Sequence, residues 1–400
     1  MSRRLEIGAL LALCFFLPLY EAPKSIFLVL YLIIWAVNRA RARDWGGPWD
    51  LWDSLFAAWI ASGFVVAAFA GLQGSEWRGP LDLLRYGSVA WVARRGRYDA
   101  REMKLALGTL VASALAGLAW GYANLWRGAS NWLNLNSVGH VNHTAIYLAI
   151  MLTLAWSWTF AGWKGWSAWR RLAALAVNAL FIFSLVVTTS RSALGAGVGA
   201  MILIAALWRG KGGRPRAAML AMVAVAVLGV LAHSAPFVEK YERAVHASDP
   251  LGSRHAIWRA AFAAWQRYPW FGVGMDNFSQ ISLERLGQWR REAGRDFDPR
   301  LYDISPYRFS HGHSLYFTAL AERGIVGLVP LVALLLAWLV AVARRPRPED
   351  GDDHWLAWGG ALGAWFVTAG VGVVNTTLHH EHGILAALLL GLWLSKRAGR

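Results

Sequence analysis

Residues 325–343 read IVGLVPLVALLLAWLVAVA and contain no charged side chain. An apolar run of this length spans the hydrocarbon core of a bilayer as an α-helix, because a helix satisfies its own backbone hydrogen bonds. Two basic residues, Arg344 and Arg345, follow the run directly. Basic residues collect at the cytoplasmic ends of membrane helices, so the stretch predicts a transmembrane helix that ends inside the cell.

The same pattern recurs along the chain and predicts an all-α polytopic membrane protein. Of the 400 residues, 56% are hydrophobic and only 16% are charged, whereas a soluble domain carries about 25% charged residues. Apolar runs predict about twelve transmembrane helices, at residues 7–20, 24–38, 51–73, 80–94, 103–126, 141–160, 168–189, 191–209, 216–233, 325–343, 354–375 and 381–396. The first run could also be a signal peptide, but no small-residue cleavage site follows it.

The basic residues set the orientation of these helices. If the N-terminus lies in the cytoplasm, 23 of the 40 Lys and Arg fall in the predicted inner segments, and the short outer segments hold almost none. This asymmetry follows the positive-inside rule, so we expect both termini in the cytoplasm. The net charge of +16 reflects this topology and contact with anionic membrane lipid, and we expect no nucleic-acid binding.

One connection breaks the pattern of short loops. The charge rule places residues 234–310 outside, in the periplasm, and a long ordered loop of this kind is usually functional. The chain therefore divides into a nine-helix region at 1–233, a large periplasmic helical loop at 234–310, and a three-helix region at 311–400. The single cysteine, Cys14, allows no disulfide within the chain.

The loop contains an amphipathic segment from Ser253 to Arg267. At the helical period one face collects five apolar residues, namely Ile257, Trp258, Ala261, Phe262 and Trp265. Arg259 and Arg267 fall on the opposite face, but Arg254 falls on the apolar face, just after the candidate N-cap Ser253. Arg254 could extend to lipid headgroups, or it could bind an anion beside the helix N-terminus.

A second basic residue has similar surroundings. Residues 188–191, Thr-Thr-Ser-Arg, form the predicted outer turn between the seventh and eighth runs, and Arg191 opens the eighth. Arg191 could simply anchor the helix in the membrane. Hydroxyl groups, a guanidinium and free helix N–H groups together also suit a phosphate ligand.

Histidine and asparagine form three clusters on the predicted outer side. They are His140 with Asn142 and His143, His311 with His313, and His379 with His380 and His382. Each cluster could be a set of interfacial polar residues. Imidazoles can also bind a metal, but the nearby carboxylates Glu381 and Glu322 do not complete a convincing ligand set. We therefore expect no metal and no other cofactor.

These residues stand in motifs that resemble the O-antigen ligase and O-antigen polymerase superfamily. The motifs are Gly139 with Asn142 and His143; Ser190-Arg191-Ser192; Gly252-Ser253-Arg254 with Trp258, then PWFGVG at 269–274 and Asn277-Phe278; and His311-Gly312-His313-Ser314, then ERGIVG at 322–327. Ser314 stands where the family more often has Asn. The order of the motifs, their predicted outer location and the helix pattern carry the resemblance together.

The resemblance implies a GT-C-like glycosyltransferase fold in the bacterial inner membrane, with the active site facing the periplasm. Family members take a glycan from undecaprenyl pyrophosphate. A ligase transfers it to lipid A-core and so completes lipopolysaccharide. The expected partners are thus the undecaprenyl-pyrophosphate-linked glycan as donor, the lipid A-core oligosaccharide as acceptor, and membrane lipid. The reaction is expected to need no metal and to invert the anomeric centre.

Within that chemistry three residues are expected to be catalytic. Arg191 and Arg254 would stabilise the charge that develops on the leaving pyrophosphate. His313 would accept the proton of the acceptor hydroxyl, with His311 as the second choice for this base. Seven residues are expected to bind substrate: Ser190, His311, Arg259, Arg267, Asn142, His143 and Arg85.

Other functions also fit parts of this pattern. An O-antigen polymerase uses the same donor but transfers it to another carrier-bound repeat, and a protein O-oligosaccharyltransferase belongs to the same superfamily. A lipid or solute transporter is the alternative from another class. Transporters place ionisable groups near the membrane midplane, whereas here Asp82 and Arg85 are the main charges inside a predicted helix and can pair within one turn. We expect the ligase.

Overall fold

A computed structural model describes residues 3–209, 221–226, 228–229, 254–302 and 311–397, and every regular element within them is helical. The α-helices are α1 (Arg3–Phe16), α2 (Glu21–Ala42), α3 (Leu51–Ala68), α4 (Gly79–Arg95), α5 (Ala100–Trp126), α6 (Val141–Gly162), α7 (Ala168–Val187), α8 (Arg191–Leu207), α9 (Arg254–Arg267), α10 (Leu283–Glu292), α11 (Leu315–Ala343), α12 (Asp352–Val371) and α13 (His380–Arg397), and the 3₁₀-helices are Phe278–Gln280 and Pro299–Tyr302.

The predicted apolar runs coincide with helices wherever the structure describes them. Run 216–233 is the exception, because much of it lies outside the described residues. Of the described helices, α2, α3, α5, α6, α7 and α11 are long and apolar enough to cross a membrane, and α8 is a shorter apolar helix. The described chain is therefore all-helical and has the character of a membrane protein. The count of twelve spans and the GT-C-like fold stay predictions.

Helix α6 lies at the centre of the helical body. It packs against α7, α8, α12 and α13, and every side chain from Thr144 to Ser157 is buried. A helix that is buried on all sides has apolar residues all round, as this one does. Its N-terminal residues, His140 to His143, are thereby fixed beside the neighbouring helix ends.

Helix α11 begins at Leu315, earlier than the apolar run at 325 indicated. Ser314 caps it, since its Oγ accepts from Phe317 N (3.4 Å) and donates to Gly372 O (3.1 Å). The first part of the helix carries Glu322 and Arg323. A kink at Gly324 (φ 55°, ψ −158°) separates this part from the rest of the helix. The search for apolar runs detected only the part beyond the kink, because the first part is amphipathic and charged.

The glycine-rich motif at 269–274 docks the large loop onto α11. Val273 N donates to Ala321 O (2.9 Å), Gly274 N donates to the carbonyl of residue 322 (3.0 Å), and Gly71 N donates to Gly272 O (3.0 Å). Gly272 has φ +67°, and a Cβ on it would collide with the backbone of residues 321–323. The motif thus joins the loop, α11 and the α3–α4 connection, and glycine is required by the close backbone approach.

Asn277 completes the same joint. Its Nδ2 donates to Leu72 O (2.9 Å) and Val273 O (3.1 Å), and its Oδ1 accepts from Ser75 N (2.9 Å). The side chain is fully buried. Asn277 therefore satisfies backbone groups of two segments at once, and its place in the motif is explained by packing.

The helix predicted around Arg254 is present as α9, but its buried face differs from the predicted one. Ile257 and Ala261 are buried as expected, together with further alanines. Phe262 is 44% exposed, and Trp258 and Trp265 are half-buried. The large aromatics lie at the border of the packed face because the contact with α11 and α10 admits only small side chains. The candidate N-cap Ser253 lies outside the described residues.

Candidate functional site

The ends of α6 and α13 bring two histidine clusters into contact. His143 Nδ1 lies 3.0 Å from His382 Nε2. The ring of His143 is also 5.0 Å from that of His380 and 5.7 Å from that of His379, measured between centroids. His140 caps α6, since its Nδ1 accepts from Asn142 N (3.2 Å). The sequence separated these clusters by more than two hundred residues, and the fold joins them.

The third histidine cluster, the pair His311 and His313, lies beside this group. The rings of His311 and His313 are 4.1 Å apart, and His311 is close enough to His140 and His380 to interact electrostatically with both. We call the whole group the histidine cluster. Its members are His140, His143, His311, His313, His379, His380 and His382.

His313 does not lie on a helix. Helix α11 starts only at Leu315, and His313 has φ +45°, in the left-handed region. The helical spacing that would point His311 and His313 in opposite directions does not apply here. The two rings therefore lie side by side, and both can face one substrate.

Burial keeps these imidazoles neutral. The pKa of His313 is lowered to about 3, chiefly by burial and then by the nearby His311 and Arg254. Burial likewise lowers the pKa of His311, and it lowers the pKa of His379 to about 3. A neutral imidazole has a free ring nitrogen that can accept a proton. His311, His313 and His379 are therefore in the form that can accept a proton at neutral pH.

Arg254 lies within electrostatic range of His313. It is the first residue of α9, and its Nε donates to Val374 O (3.0 Å), just beyond the end of α12. Its charge acts on His313. The contact with Val374 holds Arg254 beside the segment between α12 and α13.

Arg191 lies in the expected helix start but is not joined to the cluster. It is the first residue of α8 and is exposed, while Ser190 before it is buried and makes no capping bond through its side chain. Thr189 has φ +53°. Within the described residues Arg191 makes no hydrogen bond or ion pair.

The remaining predicted residues are divided between different places. Arg85 pairs with Asp82 (3.4 Å), as their spacing indicated, and Asp82 lies within electrostatic range of His380. Arg267 pairs with Glu292 (3.0 Å) at the far end of α9 from Arg254. Arg259 lines a groove along α9. The structure thus brings Arg85 near the histidine cluster and leaves Arg267 away from it.

A buried ion pair beneath the cluster was missed in the sequence. Lys24 of α2 binds Glu381 of α13, and both side chains are 2% exposed. Ser137 Oγ donates to the same carboxylate (2.8 Å). The signal was a lysine at the outer end of a predicted span, where the positive-inside rule expects none. The pair fixes the start of α13 and so places His380 and His382.

The carboxylates considered as metal ligands are engaged elsewhere. Glu381 binds Lys24, and Glu322 Oε1 accepts from Phe278 N (3.3 Å) in the joint between the large loop and α11. Within the ranges that the structure describes, no group of three or more His, Cys, Asp or Glu has a geometry that could hold a metal ion.

The comparisons with known proteins agree with the motifs. Residues 176–332 match a family model described as O-Antigen ligase. The matched segment includes Arg191, Arg254 and His313 and the glycine-rich joint, whereas His143 and the histidines of α13 lie outside it. No curated protein matches the chain. Over residues 176–332, the chain is therefore similar to the O-antigen ligase family.

Proposed function

We propose that this protein is an O-antigen ligase, which transfers a glycan from undecaprenyl pyrophosphate to lipid A-core at the periplasmic face of the inner membrane. The observation that carries the proposal is the placement of a neutral His313 beside His311 and Arg254. A base and a guanidinium within electrostatic range of each other suit a reaction in which a hydroxyl loses a proton on one side of a sugar while a pyrophosphate leaves on the other.

The transfer would follow from these positions. His313 accepts the proton of the acceptor hydroxyl as its oxygen bonds to the anomeric carbon of the glycan. The bond from that carbon to the pyrophosphate oxygen breaks, and both bonding electrons stay on the pyrophosphate. Arg254 stabilises that charge, because a guanidinium binds phosphate oxygens through two parallel N–H groups and stays protonated.

Arg191 has a separate part in the proposal. Attack from the face opposite the leaving group inverts the anomeric centre, so the hydroxyl and the pyrophosphate must lie on opposite sides of the sugar. Arg191 opens α8 and is exposed, so it is free to bind the carrier phosphate when the donor is present. Arg191 and Arg254 would neutralise the charge on the phosphate oxygens, as a divalent cation does in other phosphate sites.

A reconstituted transfer assay tests the function. The purified protein is incubated with carrier-linked glycan and lipid A-core, and a ligated product is expected on a gel. A product that grows when lipid A-core is omitted would identify a polymerase instead. Movement of labelled carrier lipid across a proteoliposome, without transfer to any acceptor, would identify a transporter.

A further inference from the structure

An open groove runs along the exposed side of α9. It has a volume of about 490 Å³ and lies between α9, the end of α10 and the 3₁₀-helix Pro299–Tyr302. Nothing in the reaction described above uses its walls. Two kinds of side chain line it, aromatic rings and arginines, and each points to one property of a ligand.

The aromatic side chains form a platform. Trp258 stacks on Phe317, with ring centroids 5.0 Å apart and an interplanar angle of 15°. Phe262, one turn further along α9, is 44% exposed. An exposed ring beside a stacked pair of rings suits a ligand that has C–H faces, as a sugar does.

The charged side chains add a strong positive potential. Arg259, Arg290 and Arg295 line the groove, and no acidic residue does among the residues that the structure describes. Two of the three are held in place, since Arg290 donates to Asp296 O (3.0 Å) and Arg295 donates to Gln266 Oε1 (2.9 Å). Each guanidinium has five N–H donors, so these contacts leave donors for a ligand. Arginines fixed in this way favour phosphate or carboxylate groups.

The groove begins close to the proposed reaction centre, because its lining includes His255, the residue after Arg254. Arg254 lies one turn before Trp258 on α9, and His313 lies just before the turn of α11 that carries Phe317. From there the groove follows α9 to Gln266, a distance of about 16 Å at the helical rise. A chain of sugars lying along it would present its end to His313, the base for the acceptor.

From these observations we infer that the groove binds the acceptor oligosaccharide and selects one that carries anionic groups, phosphate or carboxylate. The assignment to the acceptor rests on the proposed function. The preference for an anionic saccharide rests on the walls of the groove alone. The competing occupant is the anionic membrane surface, against which the same arginines and Phe262 could lie.

Direct binding separates these occupants without any transfer reaction. The probes are a lipid-free oligosaccharide that carries phosphate monoesters, the same oligosaccharide after phosphatase treatment, and vesicles of phosphatidylglycerol. Titration calorimetry with the detergent-solubilised protein is expected to give at least about tenfold tighter binding for the phosphorylated saccharide, as for one charge-assisted hydrogen bond. Equal binding of the two saccharides would overturn the inference. The inference would also be overturned if substitutions in the groove weakened binding to the vesicles but left binding of both saccharides unchanged.

Variants assign the binding to the groove. Arg259→Ala and Arg295→Ala are expected to remove the preference for the phosphorylated saccharide. Phe262→Ala is expected to weaken the binding of both saccharides. Arg291→Ala is the matched control, because Arg291 adjoins Arg290 on α10 but does not line the groove. In a transfer assay the groove variants should raise KM for the acceptor by about tenfold and leave kcat and KM for the donor unchanged. If the variants changed saccharide binding as expected but the wild-type protein transferred no glycan, the ligase function would be refuted and the groove assignment would stand.

Discussion

At the scale of single residues, Arg254 and His313 come within electrostatic range because α9 packs on the start of α11. The motifs singled out both residues, but their proximity depends on this packing and could not be predicted from the sequence. The low pKa of His313 also could not be read from the sequence, because it arises from burial by segments distant along the chain. A histidine in isolation would titrate near 6.5.

Arg254 should matter through the shape of its guanidinium as well as its charge. Replacing Arg254 with Ala is expected to lower the transfer rate at least about tenfold, which corresponds to about 1.4 kcal/mol of transition-state stabilisation. Arg254→Lys should rescue poorly, because an ammonium offers a point charge and no planar fork. Full activity in both variants, at normal expression, would make Arg254 a headgroup anchor. Arg191 is expected to behave in the same way if it binds the carrier phosphate.

The pH profile should reflect the lowered pKa of His313. A pKa of about 3 leaves the imidazole neutral at any higher pH, so a single-turnover rate should be flat between about pH 6 and 8. The rate should fall only as the pH approaches the lowered pKa and the base becomes protonated. A rise with a midpoint near 6.5 would show that His313 titrates as an exposed histidine does, and would contradict the burial described here.

At the scale of elements, apolar runs predicted most helices well because membrane helices are selected by length and hydrophobicity. They failed at α11, where a charged first part precedes the kink at Gly324. They also gave no sign of the joint made by residues 269–274, since its contacts are between backbones. The sequence singled out the motif there only by its resemblance to the family, and the structure explains the glycine at 272 by packing.

Replacing Gly272 with Ala tests this joint. Gly272 has a positive φ, and an added Cβ would meet the backbone of α11, so both strain and collision are expected. Gly294→Ala is the control, because Gly294 has a similar φ of +64° but open space around it. Thermal unfolding in detergent should show a clear loss of stability for Gly272→Ala and at most about 1 kcal/mol for the control. Equal losses would mean that the close approach is not important.

At the scale of the whole molecule, the histidine cluster could not be predicted because its members come from three segments distant along the chain. The topology, by contrast, follows from charge and is open to a direct test. Cys14 is buried and would not react with a polar reagent. Ser279→Cys should be labelled only from the periplasm, and Ser167→Cys, at the exposed start of α7, only from the cytoplasm. Labelling of Ser279→Cys from the cytoplasm would show that the topology is the reverse of the predicted one and would contradict the proposed function.

The most direct test of the central claim is a comparison of His313→Ala with His311→Ala and His354→Ala. His354 lies in the first turn of α12, at the other end of that helix from Gly372, and serves as the control. General-base help is typically worth about 10²–10⁴ in rate, so single-turnover transfer by His313→Ala should fall by that factor while donor binding stays nearly normal. His354→Ala should retain the wild-type rate. Full activity in both His313→Ala and His311→Ala would contradict the account, because neither histidine would then be the base.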